Sequence, residues 1–260
     1  MRLWHTRKDR KQFGKAIIEF PAVYDMLATI KAKLDAGRAL LYQTSRYVDI
    51  YKALDDIARE RKLTPEERQE QKRYAKLADS FTPLAKGMNS EYANQNAYDC
   101  IQVHGGSGFM MEYTCQRIYR DARITSIYEG TTQLQTVAAI RYVTNGSYAA
   151  TLHEYEQIPC APEFEGYMNR IKDMTRKLEA CTNAVKEAQN QELLDLVSRR
   201  LYEMAAVCVM SHLLLQDATK APDMFGKSLN VYVNYAESEV EKHFNFIRKF
   251  QAEELESYRK

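Results

Sequence analysis

A glutamate followed by glycine and two threonines is the feature of this sequence best suited to acid–base chemistry. Glu129 precedes Gly130, Thr131 and Thr132 at the expected start of a helix, where the positive end of the helix dipole stabilises a carboxylate. A carboxylate that is ionised in water and loses its solvent when a ligand docks becomes a stronger base, as abstraction of a proton from carbon requires. Gly130 permits close approach of a bulky ligand. Taken alone, a glutamate here is more often a residue that merely complements the helix dipole.

Glu129 belongs to the last of four short blocks in the first half of the chain. The blocks are, in order, residues 10–15 (RKQFGK), 102–108 (QVHGGSG), 120–123 (RDAR) and 127–133 (IYEGTTQ). Each block is too short to be specific by itself. In this order they resemble the C-terminal domain of the acyl-CoA dehydrogenase family, and the ordered set is much more specific than any single motif.

The resemblance implies a reaction. Glu129 would remove the α-proton of an acyl-CoA substrate while a hydride leaves the β-carbon for the flavin of FAD. Tyr128 and Gly130 would line the acyl-CoA cleft, and Thr131 and Gln133 would contact FAD. In this family electrons pass on to an electron-transfer flavoprotein. An acyl-CoA oxidase, which shares the base but uses oxygen, remains an alternative, as does a non-catalytic helical assembly module.

The resemblance also implies a homo-oligomer, because in this family the ADP half of FAD crosses a subunit interface. The matching groups here are Arg10, Phe13, Gln102, Gly105 and Gly106. Arginine can hold a pyrophosphate through two parallel hydrogen bonds. The residues alone leave a plainer interpretation open, in which Arg10 is a solvated charge and the glycines only end a helix.

Composition excludes several other classes. The formal net charge of +2 gives no reason to expect a nucleic-acid surface. The five cysteines include no CxxC pair, and with the five histidines they show no zinc-ligand spacing, so we predict free thiols and no metal site. The longest uncharged apolar stretch, residues 204–216, is too short to be a transmembrane segment. We therefore expect a soluble, cytoplasmic protein.

The sequence predicts an all-α fold. A long helix should run from Pro21 towards residue 61, and Thr64 should cap a second one that runs towards residue 103, with a kink near Pro83. A loop with one brief helix should fill residues 105–131, and Thr131 or Thr132 should begin a third long helix. Further predictions are a linker over residues 147–162 and helices over residues 163–187, 191–218 and 228–257, with a break around Ala221 and Pro222.

These elements predict two domains. Residues 1–150 should form a four-helix-bundle-like acyl-CoA dehydrogenase domain, and residues 151–260 a smaller helical bundle. Family members carry a further helical domain and a β domain before the region that this chain resembles. We therefore expect a truncated gene product, a mis-assigned start or a deliberately isolated domain. Pro21 falls where relatives often place a glutamine near the cofactor, which puts one FAD contact in doubt.

Overall fold

The computed structural model describes residues 10–249, and these are almost entirely helical, as predicted. The chain enters through a small antiparallel hairpin, in which β1 (Lys11–Gln12) pairs with β2 (Lys15–Ala16). The two turn residues have positive φ, 49° at Phe13 and 83° at Gly14. Such a two-residue turn matches the twist of the paired strands. A short 3-10 turn, Ile17–Glu19, leads from the hairpin into the helices.

Nine helices follow within the described residues. They are α1 (Pro21–Glu60), α2 (Pro65–His104), α3 (Gly106–Phe109), α4 (Thr114–Thr125), α5 (Thr132–Thr144), α6 (Ser147–Glu156), α7 (Glu165–Glu187), α8 (Gln191–Lys220) and α9 (Pro222–Lys249). A second 3-10 turn, Pro162–Phe164, precedes α7.

The start of α2 confirms the predicted capping box. Thr64 Oγ1 accepts a hydrogen bond of 3.2 Å from the Glu67 N–H, and Glu67 Oε2 accepts one of 2.9 Å from the Thr64 N–H. Hydrogen bonds from Arg61 and Thr64 also lower the pKa of Glu67 to about 2. The backbone N–H groups of Thr64 and Glu67, which have no partner within the helix, are both hydrogen-bonded by these two side chains. The helix then continues through Pro83 to His104.

Two predictions about the connections are wrong. Residues 105–131 contain two helices, α3 and α4, rather than one. The predicted linker over residues 147–162 is largely helix α6, which begins directly after Gly146 because that residue takes the left-handed conformation (φ 78°) that a sharp turn needs. Tyr148, Leu152 and Tyr155 then recur at helical spacing and are all buried.

The last three helices agree with prediction in order, and α7 and α8 also agree in position. The break at Ala221 and Pro222 is confirmed, although α9 begins at Pro222 rather than at residue 228. Its predicted end near residue 257 lies outside the described residues. Pro222 explains the early start, because proline is well accommodated in the first helical turn.

The hydrophobic core lies around α8. Residues 204–210 of this helix are all at most 2% exposed, so it is surrounded by other helices rather than half-solvated. The same cluster contains Leu40 of α1, Phe81 of α2 and Leu152 of α6 as well as Val233 of α9. Apolar contacts thus run across residue 150, and the division into two domains at that point stays a prediction.

The helices of residues 10–249 include none that is both long enough and apolar enough to cross a membrane. Even α8, the most buried of them, carries charged and polar side chains along its length.

One buried histidine predicts a specific pH dependence of stability. His212 of α8 is 1% exposed, its Nε2 has no hydrogen-bond partner among the described residues, and burial lowers its pKa to about 4. Between about pH 6.5 and pH 4 the unfolded chain therefore holds a proton that the folded chain excludes. The free energy of unfolding should fall as pH falls, by about 1.4 kcal/mol per pH unit from this group.

Urea unfolding of the wild type and of His212→Gln between pH 7 and pH 4.5 measures this contribution. The variant removes the titrating group, so its unfolding free energy should decline less steeply with falling pH. Parallel pH dependences in the two proteins would show that His212 titrates normally.

Candidate active site

The Glu129 loop is a tight turn between α4 and α5 with an unusual backbone. Glu129 has φ 51° and Gly130 has φ 91°, so two successive residues lie in the left-handed region. This region is costly for a glutamate, and surrounding contacts must hold it there. The Thr132 N–H donates to the Ser126 carbonyl at 3.1 Å, which closes the turn. The Glu129 side chain is left exposed to solvent.

One face of α2 fastens this turn. Lys86, Ser90 and Asn94 follow one another at four-residue steps, which places them on the same side of the helix. Lys86 Nζ donates to the Gly130 carbonyl at 2.6 Å, Ser90 Oγ to the Thr125 carbonyl at 3.0 Å, and Asn94 Nδ2 to the Ala122 carbonyl at 3.1 Å. The last turn of α4 and the Glu129 loop are therefore fixed to a forty-residue helix.

A fourth contact ties the same turn to the C-terminal helices. Thr132 Oγ1 donates to Glu91 Oε1 of α2 at 2.6 Å, and the guanidinium of Arg199 on α8 lies 3.6 Å from that carboxylate oxygen. Arg199 also donates to Glu203 at 2.6 Å, and Glu203 Oε2 lies 2.9 Å from Nε2 of the buried His243 on α9. Burial alone would raise the pKa of Glu203, but His243 and Arg199 together hold it below its usual value.

Glu129 lines a groove of about 660 Å³ between α1 and α2. Its walls are mainly apolar, and Tyr128 joins Glu129 where the loop closes it. The apolar lining includes Leu34, Leu41, Ala85, Tyr92 and Ala93. A carboxylate at the edge of an apolar groove is an arrangement that can take a proton from a ligand carbon once the ligand has displaced water.

A buried cation also lines the groove. Lys33 is 7% exposed, donates to Gln95 Oε1 at 2.8 Å, and lies 4.3 Å from the centre of the Tyr235 ring. Burial lowers the pKa of Lys33, while the nearby Asp99 and Glu239 oppose that change. The amine is thus held by an amide and an aromatic face, rather than by a direct ion pair.

Thr131 is the N-cap of α5, where its Oγ1 accepts from the Leu134 N–H at 3.3 Å. The prediction that Thr131 or Thr132 begins this helix is therefore confirmed. Thr131 and Gln133 are both exposed beside the Glu129 loop. Gln135 lies behind them, with its Nε2 3.4 Å from each of the Glu129 and Gly130 carbonyl oxygens.

The other predicted site residues gather at the C-terminal end of α2. Arg10 donates to the carbonyl oxygen of His104, the last residue of that helix, and lies against Gly105. Phe13 at the hairpin tip is 95% exposed, and Gln102 and Gly106 are exposed as well.

The predicted residues thus form two groups, a base group around Glu129 and a hairpin group around Gly105. Among the described residues no hydrogen bond or ion pair joins a member of the hairpin group to a member of the base group. Lys86, which contacts the base group, and His104, which contacts the hairpin group, are about 27 Å apart along α2 at 1.5 Å per residue. A single copy of the chain therefore presents the two groups as separate surfaces.

Gly105 and Gly106 make a matched pair for a stability test. Gly105 has φ 61°, and an added Cβ would lie 2.7 Å from Arg10 Nη1, whereas a Cβ on Gly106 would meet nothing within 4 Å. Gly105→Ala should lower the free energy of unfolding by about 1–3 kcal/mol, through backbone strain and displacement of Arg10. Gly106→Ala should change it by less than about 0.5 kcal/mol. Urea unfolding of both variants checks this, and equal losses would contradict the geometry.

Sequence reasoning missed the residues that hold the loop. The four-residue spacing of Lys86, Ser90 and Asn94 was visible as a polar stripe, but nothing in the sequence said what it faces. Glu91 and Arg199 are separated by about a hundred positions, and only the packing of α8 against the first helices brings them together.

These features define an all-helical domain in which α2 holds a carboxylate-bearing turn beside an apolar groove. Residues 2–143 match the family model described as acyl-CoA dehydrogenase, C-terminal domain, and residues 144–255 match the model described as acyl-CoA dehydrogenase C terminal. The chain belongs to the acyl-CoA dehydrogenase family.

Its curated relatives include two with assigned activities. The caffeyl-CoA reductase-Etf complex subunit CarC of Acetobacterium woodii is 35% identical over 128 residues, which are 49% of this chain and 27% of that protein. The cyclohexane-1-carbonyl-CoA dehydrogenase of Geobacter metallireducens is 31% identical over 141 residues, 54% of this chain and 30% of that protein. The chain spans less than a third of the length of these relatives.

The fold has a counterpart among solved structures. The acyl-CoA dehydrogenase from Bacillus anthracis, solved in complex with FAD, superposes with a TM-score of 0.72 at 20% identity, covering 95% of this chain and 45% of that one. The agreement extends over both halves of the chain and confirms the all-helical fold.

Proposed function

We propose that this chain supplies the proton-abstracting part of an FAD-dependent acyl-CoA dehydrogenase, with Glu129 as the base. The observation that carries the proposal is the placement of Glu129. Its carboxylate lines an apolar groove, on a turn held at positive φ by Lys86 and by the Thr132–Glu91 contact. A backbone kept in a disfavoured conformation by several contacts is typical of a residue whose direction matters.

Proton removal follows from this placement. The Glu129 carboxylate accepts a proton from the carbon next to the thioester carbonyl of a docked acyl-CoA. Tyr128 stands beside it at the groove, with the Lys86 amine 5.6 Å from the centre of its ring. The apolar walls between α1 and α2 receive the acyl chain and exclude water from the carboxylate, which strengthens it as a base.

The residues of both groups fit FAD. The Gly106 backbone is open, since an added Cβ would meet nothing within 4 Å, and Gln102 offers an exposed amide beside it. Phe13 presents an almost fully exposed aromatic ring, suited to stacking on a planar base, and Arg10 places a cation at the same end of α2. At the base group, Thr131 and Gln133 present polar side chains at the start of α5. These residues would hold the cofactor.

When bound, FAD would accept the hydride from the β-carbon and pass electrons to an electron-transfer flavoprotein, the partner class that the name of the Acetobacterium relative also contains. The separation of the two groups supports a homo-oligomer, because one cofactor can then reach the hairpin group of one copy and the base group of another.

Ligand-induced stabilisation tests the proposal directly. FAD should raise the melting temperature of the purified chain, and an acyl-CoA should raise it further, because both bind the folded state. Free coenzyme A is the control for the acyl part. A well-folded chain that neither ligand stabilises would contradict the proposal. Reduced enzyme that reoxidises rapidly in air would instead identify an acyl-CoA oxidase.

A further inference from the structure

Three soft metal-binding side chains converge beneath the Gly105 loop. Cys100 and His104 lie one turn apart near the end of α2, and Cys115 comes from the first turn of α4. One possible ligand atom from each lies within 4.8 Å of those from the other two. Within residues 10–249, no other group of three or more histidine, cysteine and acidic side chains has ligand atoms this close together.

The spacing is close to that of a real site. Cys100 Sγ and His104 Nδ1 are 3.8 Å apart, and two ligands of a tetrahedral zinc ion lie about 3.5–3.8 Å apart, given zinc–ligand bonds of about 2.0–2.3 Å. The three ligand atoms lie within 4.8 Å of one another, so the side chains must move closer by about 1 Å to bind the same zinc ion. Both cysteines and the histidine are carried by helices that pack on each other, so the donors are already gathered before any metal arrives.

The donor set selects the kind of metal. Two thiols and an imidazole favour zinc and other thiophilic divalent ions over magnesium or calcium, which prefer oxygen ligands. His104 and Cys115 are buried, whereas Cys100 is half-buried and gives the cluster a route to solvent. His104 Nδ1 also donates to the Cys100 carbonyl oxygen at 2.8 Å, and the ring gives up this hydrogen bond and its proton when that nitrogen binds a metal.

We infer that Cys100, His104 and Cys115 form a zinc-binding site, with a fourth position open to water. The protons of the two thiols pass to solvent as their sulfurs bond to the metal. Sequence spacing alone predicted no such site, because Cys115 approaches the Cys100–His104 pair only through the packing of α4 on α2.

The site would brace the loop that carries the hairpin group. Cys115 Sγ lies 3.3 Å from the Gly108 carbonyl oxygen, and His104 directly precedes Gly105, so the ligands enclose both ends of the segment 105–108. A bound ion would lock the end of α2 to the start of α4. This structural role does not depend on catalysis, so zinc binding can be measured whether or not the proposed reaction occurs.

Cobalt titration of the metal-stripped chain tests the inference. We expect one equivalent of Co²⁺ to give the thiolate-to-metal charge-transfer absorption of a sulfur-ligated site, and Zn²⁺ to abolish it by displacement. Cys100→Ser and Cys115→Ser should each lose that absorption and bind Zn²⁺ at least about tenfold more weakly. Cys160→Ser is the matched control, since Cys160 is equally half-buried but lies outside the cluster, and it should behave as the wild type.

Alkylation of the unmodified chain keeps the inference testable if a variant folds poorly. Zn²⁺ should slow the reaction of Cys100 with iodoacetamide and leave that of Cys160 unchanged, as peptide mass spectrometry measures. Absence of charge transfer in the wild type, or equal alkylation of Cys100 with and without zinc, would overturn the inference.

Discussion

Replacement of Glu129 by glutamine should reduce the rate of acyl-CoA dehydrogenation by about a thousandfold or more and leave FAD binding unchanged. Glutamine has nearly the same shape as glutamate, so the turn and the groove should keep their form, but its amide does not accept a proton at neutral pH. Loss of a positioned general base typically costs two to four orders of magnitude (about 10²–10⁴).

The rate is measured with an acyl-CoA substrate and an artificial electron acceptor, and FAD binding by the cofactor-induced rise in melting temperature. Glu112→Gln is the control, since Glu112 is an exposed carboxylate in the turn before α4 and does not line the groove. Substantial activity in Glu129→Gln, or equal losses in both variants, would remove Glu129 from the catalytic role.

Replacement of Arg199 by methionine should lower the free energy of unfolding by about 2 kcal/mol. The change leaves Glu91 without its cation and removes one of the two partners of Glu203, which keeps His243. Removal of one partner from a fully buried ion pair costs about 3–5 kcal/mol, whereas an exposed pair contributes at most about 1 kcal/mol. An intermediate value applies because 32% of the Arg199 side chain is exposed. Methionine retains most of the apolar stem, so lost packing contributes little.

The same variant should loosen the Glu129 loop. Glu91 accepts a hydrogen bond from the Thr132 hydroxyl at the start of α5. Without Arg199, the Glu91 side chain can rotate towards water, and this hydrogen bond is then lost. Urea unfolding measures the stability, and hydrogen exchange of residues 126–135 measures the loop. Arg59→Met is the control, because Arg59 and Asp56 form an exposed pair (78% and 69%), and such pairs contribute almost nothing. Unchanged exchange in Arg199→Met would show that the C-terminal helices do not support the loop.

Local signals explain which parts of the fold the sequence predicted. Pro21, the Thr64 capping box and the break at Pro222 mark helix starts, and each operates within one or two turns of the chain. The turn at Glu129 is predicted for a similar reason, since Gly130 and the capping Thr131 follow it directly. The role of Glu129 as a base rests instead on the family resemblance carried by four separated blocks. Signals of this range fix where helices begin, whatever surrounds them.

The parts that sequence reasoning missed depend on distant residues. The prolines Pro159 and Pro162 predict a linker where helix α6 lies, yet burial of Tyr148 and Leu152 in the core stabilises that helix. The brace from Arg199 through Glu91 to Thr132, and the cluster of Cys100 with Cys115, exist only after helices have packed. A single sequence records neither, because no local pattern encodes which faces meet.

Anaerobic reduction of bound flavin by an acyl-CoA tests whether this domain dehydrogenates a thioester with Glu129 as its base. The purified chain is supplied with FAD, freed of oxygen and mixed with the thioester, and the flavin absorbance is followed. We expect acyl-CoA to bleach the flavin of the wild type, and the rate of bleaching to fall at least about a hundredfold in Glu129→Gln. Bound FAD that stays oxidised in the presence of acyl-CoA, or that bleaches equally fast without Glu129, would contradict it.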